Sequence, residues 1–98
     1  MKKIHITILG KVQGVGFRYW LYQKSKERNV NGWVKNKITG EVEAILIGNP
    51  KDVDEIIELC KSGPPSSKVT NIKTQNYKQE YFKKSFYILK ENNNGKQN

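Results

Sequence analysis

Cysteine occurs once in the 98 residues, at Cys60, so no internal disulfide can form and nothing calls for an oxidising compartment. Histidine also occurs once, at His5, which excludes the usual His and Cys sets that hold zinc. Only two aspartates, Asp52 and Asp54, are on offer to a hard cation, and their setting reads as a helix start. No apolar run approaches the roughly 18–20 residues of a membrane span, and no signal-peptide core follows Met1-Lys2-Lys3. The expected location is therefore the cytoplasm, with no membrane partner. The expected chemistry uses no protein-held metal and no other cofactor. Arginine is scarce too: sixteen lysines stand beside two arginines, Arg18 and Arg28. Lysine supplies diffuse, solvated charge, whereas the planar fork of arginine matches phosphate geometry. Where this chain uses arginine, the choice carries information.

What is present suits one domain with a modest core, since 36% of the residues are hydrophobic and ten are aromatic. Eighteen basic against nine acidic residues give 18 − 9 = +9, a balance that favours anionic partners. Ile4, Ile6 and Ile8 alternate with Lys3, His5 and Thr7, which predicts a first strand with one buried face. The glycine-rich stretch Gly10 to Gly16 ends it, and a helix is expected from Phe17 to Arg28 with Phe17, Trp20 and Leu21 inward. Its apolar stripe fades toward Ser25, and Asn29 suits the left-handed turn that closes a helix. Strands at about Asn31–Asn36 and Glu41–Ile47 form a hairpin around Lys37-Ile38-Thr39-Gly40. Asn49 caps a second helix, Pro50 suits its first position, and Val53, Ile56, Ile57 and Cys60 make one buried stripe. Residues 68–78 and 84–90 read as two further strands or one long interrupted hairpin, and 91–98 as a polar, mobile tail. The order is βαββαβ plus an extra strand. It predicts an α+β, ferredoxin-like two-layer sandwich spanning residues 1–90, with two helices on one face of an antiparallel or mixed sheet.

In such a fold the first two strands run parallel with the third between them, so their C-terminal ends lie about 10 Å apart at one sheet edge. The glycine loop and Asn36 should therefore face a common pocket. Gly14 and Gly16 permit backbone conformations in which successive N–H groups form an anion-binding nest ahead of a helix N-terminus. Arg18 falls in that helix's first turn, where a cation opposes the macrodipole by roughly 0.3–1 kcal/mol unless an anion reverses the sign. Glycine-rich strand-to-helix turns are common, and Asn36 also fits an ordinary turn residue ahead of Gly40. On loop chemistry alone both readings stand. No Gly-Lys-Ser/Thr ends the loop and its glycine spacing is not that of a dinucleotide site, which excludes both nucleotide fingerprints.

Gly10-Lys11-Val12-Gln13-Gly14-Val15-Gly16-Phe17-Arg18 resembles the first signature of the acylphosphatase family, and Gly32-Trp33-Val34-Lys35-Asn36-Lys37-Ile38-Thr39-Gly40 its second. Gly63-Pro64-Pro65-Ser66 and Ser85-Phe86-Tyr87-Ile88 fit family habits as well. The resemblance implies a metal-independent hydrolase that splits an acyl phosphate into a carboxylate and inorganic phosphate. It further implies that Arg18 and the amides of Gln13, Gly14, Val15, Gly16 and Phe17 bind the phosphoryl group, while Asn36 holds the attacking water. An acyl phosphate already carries a good leaving group, so positioning and charge stabilisation suffice. A broad pH optimum is then expected; a narrow bell near neutrality would implicate His5. Phosphate is expected as product and inhibitor, and the chain as a monomer.

The bland assignments are these. Trp33 and Phe17 read as packing residues, His5 as incidental, Cys60 as a small core hydrophobe, and Glu41 and Glu43 as cross-strand partners for lysine. A base-stacking nucleic-acid module shares the element order, but the third strand, Glu-Val-Glu-Ala-Ile-Leu-Ile, has no aromatic to stack on, so no nucleic-acid partner is expected. A regulatory module that has lost catalysis is disfavoured by the complete pair of motifs.

Overall fold

Alternation builds the first strand, β1 (Lys2–Lys11): Ile4, Ile6 and Ile8 are buried, and Lys3, His5 and Thr7 take the other face. The computed structural model describes residues 1–81 and 83–90, so the tail expected at 91–98 lies outside the described residues. Helix α1 (Phe17–Glu27) follows the glycine loop, and Asn29 at φ 55° turns the chain out of it. Strands β2 (Asn31–Asn36) and β3 (Val42–Gly48) pair antiparallel around the expected turn. Helix α2 (Pro50–Cys60) starts as its sequence dictates. The Asn49 side chain accepts from the Lys51 N–H, Pro50 fills the first position, and Val53, Ile56 and Cys60 are buried. Strands β4 (Lys68–Asn76) and β5 (Phe86–Ile88) complete the sheet.

The strand order is β4-β1-β3-β2-β5. Both β1 and β2 are antiparallel to β3, which makes them parallel to each other. The chain after α2 does not form a hairpin: β4 pairs with β1 at one edge and β5 pairs parallel with β2 at the other. Of the two sequence readings of this region, separate strands is the one realised. The fold is the expected two-layer sandwich with an extra edge strand.

Phe17 and Leu21 of α1 and Val53 and Ile56 of α2 meet Ile6 and Val34 of the sheet in one core. Fully burying side chains of this size stabilises by about 1.5–3 kcal/mol each. Cys60 belongs to that core, where burial pushes its thiol up to about 12 and keeps it protonated and inert. Trp20, read as inward, is only half-buried at the core's margin.

The thin last turn of α1 has a specific flaw. Ser25 is fully buried and its Oγ has no hydrogen-bond partner among the described residues. An unpaired buried hydroxyl costs stability, and alanine is the better helix former. Ser25→Ala is expected to stabilise by about 1 kcal/mol, read as a thermal midpoint higher by roughly 4–8 °C. A lowered midpoint would show that the hydroxyl is needed.

Candidate functional site

Three chain segments converge beyond one edge of the sheet. β1 delivers the loop Val12–Gly16 after a bulge between Leu9 and Gly10, and β2 ends there at Asn36. β5, parallel to β2, ends there at Ile88. Between them lies a pocket of about 250 Å³ lined by Val12, Gly14, Gly16, Phe17, Arg18, Tyr19, Asn36 and Ile88.

The loop adopts its path because Gly14 and Gly16 take φ 74° and 80°, left-handed values that cost other residues roughly 1–2 kcal/mol. Nothing crowds the place a Cβ would occupy at either, so the requirement is conformational. Gly16 is the N-cap of α1, and no side chain caps the helix. The first intrahelical bond is Trp20 N–H to Gly16 C=O at 3.0 Å, so the N–H groups of Phe17, Arg18 and Tyr19 have no partner inside the helix. The first turn holds no acid, and Arg18 stands in it. Uncapped donors, a positive helix end and a guanidinium together attract a dianion.

Arg18 is half-buried, and among the described residues it makes no ion pair. Asn36 is buried at 9% exposed, on the sheet face that carries Val34 and the helices. Among the described residues neither side chain makes a hydrogen bond. Two polar side chains without partners among the described residues thus line one pocket.

Of the residues named from sequence, the pocket gathers Gly14, Gly16, Phe17, Arg18 and Asn36, but its lining does not include Gln13 or Val15. Val15 packs against the core. The Gln13 carboxamide donates to the carbonyls of Lys37 and Glu41, at 2.7 and 2.9 Å, and so ties the glycine loop to the turn that follows Asn36. That strut was invisible in sequence, where only the Gln13 backbone amide was singled out. Phe17 is held from behind by the Gly63–Ser67 turn. A Cβ on Gly63 would come within 2.7 Å of its ring, which gives the Gly63-Pro64-Pro65-Ser66 motif a structural reason.

His5 takes no part in the pocket. It lies on the opposite sheet face, with Nε2 2.6 Å from Glu43, and Glu43 also faces Lys35 at 3.9 Å. The lysine partnership expected of Glu43 is therefore shared with His5, which sequence had read as incidental. Glu41 instead accepts from the Thr39 hydroxyl, and that bond holds its carboxyl below the usual range. Val12, Tyr19 and Ile88 are the lining residues that sequence reasoning did not name as part of the site. Among the described residues no three His, Cys, Asp or Glu side chains gather to hold a metal ion, and no helix is long and apolar enough to cross a membrane.

Comparison with known proteins agrees with the geometry. The family model described as acylphosphatase matches residues 4–88. An acylphosphatase of Chlorobaculum tepidum is 38% identical over 88 residues, 90% of this chain and 96% of that one. One of Bradyrhizobium diazoefficiens is 39% identical over 72 residues, 74% and 73% of the two chains. The crystal structure of acylphosphatase from Bacillus subtilis superposes with a TM-score of 0.86 at 36% identity, covering 91% of this chain and 99% of that one. With two signature segments forming a single pocket, and a match that runs from β1 to β5, the chain belongs to the acylphosphatase family of acyl-phosphate hydrolases.

Proposed function

We propose that Arg18 and the main-chain amides of the loop from Gln13 to Phe17 bind the phosphoryl group of an acyl phosphate, and that Asn36 holds the attacking water. The observation that carries this reading is the shared pocket. Arg18, Asn36, Gly14 and Gly16 line one cavity, and both side chains lack protein partners among the described residues. The phosphoryl dianion sits against the uncapped start of α1 with the guanidinium fork on its oxygens. The Asn36 carboxamide accepts a hydrogen bond from water and aims its oxygen at phosphorus. The P–O bond to the carboxylate breaks as the bond to water forms. The water's proton passes to a phosphoryl oxygen, leaving a carboxylate and inorganic phosphate. Charge spread over the equatorial oxygens is stabilised by donors already in place.

The amides of Gln13 and Val15 belong to this cradle through their main chain alone, since the Gln13 side chain is engaged elsewhere. The substrate is a small molecule, inorganic phosphate is product and inhibitor, and the enzyme works as a cytoplasmic monomer with no nucleic-acid partner.

Turnover of acetyl phosphate in excess chelator tests the reading, and activity equal to that in added magnesium is the expected result. Among the described residues no histidine, carboxylate or thiol lines the pocket, so kcat should stay within about threefold from pH 5.5 to 8. Activity lost to chelator, or a narrow bell near neutrality, would contradict the scheme.

A further inference from the structure

The glycine loop and Asn36 are carried by strands that do not touch. β1 leads into the loop, β2 ends at Asn36, and β3 lies between them in the sheet. No ladder hydrogen bond therefore runs directly from one to the other. Gln13 bridges the gap. Its carboxamide nitrogen donates to the Lys37 carbonyl at 2.7 Å and to the Glu41 carbonyl at 2.9 Å, which uses both of its hydrogens. Among the described residues no other side-chain hydrogen bond joins residues 12–16 to residues 36–41. The far end of the bridge is firm. The turn closes on itself through the Lys37 N–H to the Glu41 carbonyl at 2.8 Å and the Gly40 N–H to the Lys37 carbonyl at 3.0 Å. Each of these carbonyls spends one lone pair inside the turn and gives the other to Gln13. Gln13 itself is half-buried and outside the pocket lining.

We infer that Gln13 is a positioning residue, whose side chain sets the separation between the phosphoryl cradle and Asn36. The inference rests on the water-holding role given to Asn36 above. Asn36 immediately precedes the clamped turn, and among the described residues no hydrogen bond holds its side chain. Its direction is then set by its main chain, and Gln13 grips that main chain one residue further on. The cradle amides are placed differently. The left-handed glycines of the loop and the start of α1 fix them from within. Loss of the clamp therefore lets the water drift relative to phosphorus while phosphate still finds its donors. Attack is sensitive to that drift, because a misplacement of about 1 Å costs on the order of 10²-fold in rate.

The test is a double-mutant cycle on acetyl phosphate turnover, with inhibition by inorganic phosphate as its second readout. Gln13→Met keeps the length of the side chain and removes both donated bonds. Gln13→Glu keeps its shape and sets an acceptor against two carbonyls. Each is expected to lower kcat about tenfold, with phosphate inhibition within about threefold of the parent. In an Asn36→Ala background the same substitutions should change kcat by less than about twofold, because the group they misplace is already gone. A residue needed only for folding would lower kcat equally in both backgrounds or take phosphate binding with it, and either result overturns the inference. Parent-like kcat in both Gln13 variants overturns it as well. Parent-like turnover in Asn36→Ala alone removes the water-holding reading, and the inference with it, and that failure is told apart because it is read without any change at Gln13.

Discussion

Arg18→Ala is expected to lower kcat/KM for a simple acyl phosphate by about 10³-fold or more, and to abolish inhibition by inorganic phosphate. The size follows from the site's economy. Arg18 is the sole charged group in the described lining, so no neighbour can compensate. Its removal should leave the fold intact. The side chain has no ion-pair partner among the described residues, and a half-buried position of this kind changes stability by about 0.5 kcal/mol at most. Arg18→Lys should retain less than about a tenth of the activity, because a point charge cannot reproduce the two-pronged contact. Near-parent turnover in the alanine variant would remove Arg18 from the mechanism.

Asn36→Ala carries the second large effect, a fall in kcat of about 10²–10³-fold with phosphate inhibition within a few-fold of the parent. Water positioning is felt in the transition state and not in the binding of product, which separates the two variants. The carboxamide is buried and makes no hydrogen bond with the described protein, so its loss orphans no other group. Unchanged turnover would return Asn36 to the role of a turn residue. Loss of phosphate binding together with turnover would mean that the loop itself had moved, for instance through the Gln13 strut to Lys37.

Local rules drew attention to the positions of these two residues, while the roles proposed for them came from the resemblance of the two signature segments. An arginine in an acid-free first turn conflicts with the helix dipole, and a strand boundary that falls at Asn36 follows directly from the alternation of Gly32, Val34 and Asn36. The Asn49-Pro50 start of α2 is equally local. What escaped depends on chain far away in sequence. Ile88 reaches the pocket only because β5 pairs in parallel with β2, and the alternative of a hairpin with β4 would have put it at the other edge. β4 is largely polar and β5 spans three residues, so neither carries a period strong enough to decide between those pairings. Tyr19 drew no reading from sequence, and it lines the pocket while remaining exposed. Gln13 was assigned by its backbone, yet its side chain bonds two carbonyls more than twenty residues on. Ser25 showed only as a weak point in an apolar stripe, since sequence cannot tell a solvated hydroxyl from a buried, unpaired one.

The electrostatics of the whole chain sharpen the role of the site. A net charge of +9 draws anions to the surface generally, but lysines in solvent hold none of them in a fixed geometry. Selectivity for a phosphoryl group has to come from donors fixed in direction, and in the proposed site those are the uncapped amides at the start of α1 and the guanidinium beside them. Phosphate binding should therefore survive moderate salt far better than non-specific attraction does.

Calorimetric titration of inorganic phosphate into the parent protein, Arg18→Ala and Asn36→Ala, in chelator at 0.15 M salt, weighs this division of labour directly. One bound phosphate per chain in the parent and in Asn36→Ala, with no measurable heat in Arg18→Ala, is the outcome the proposed phosphate site predicts. Parent-like binding by Arg18→Ala would contradict it.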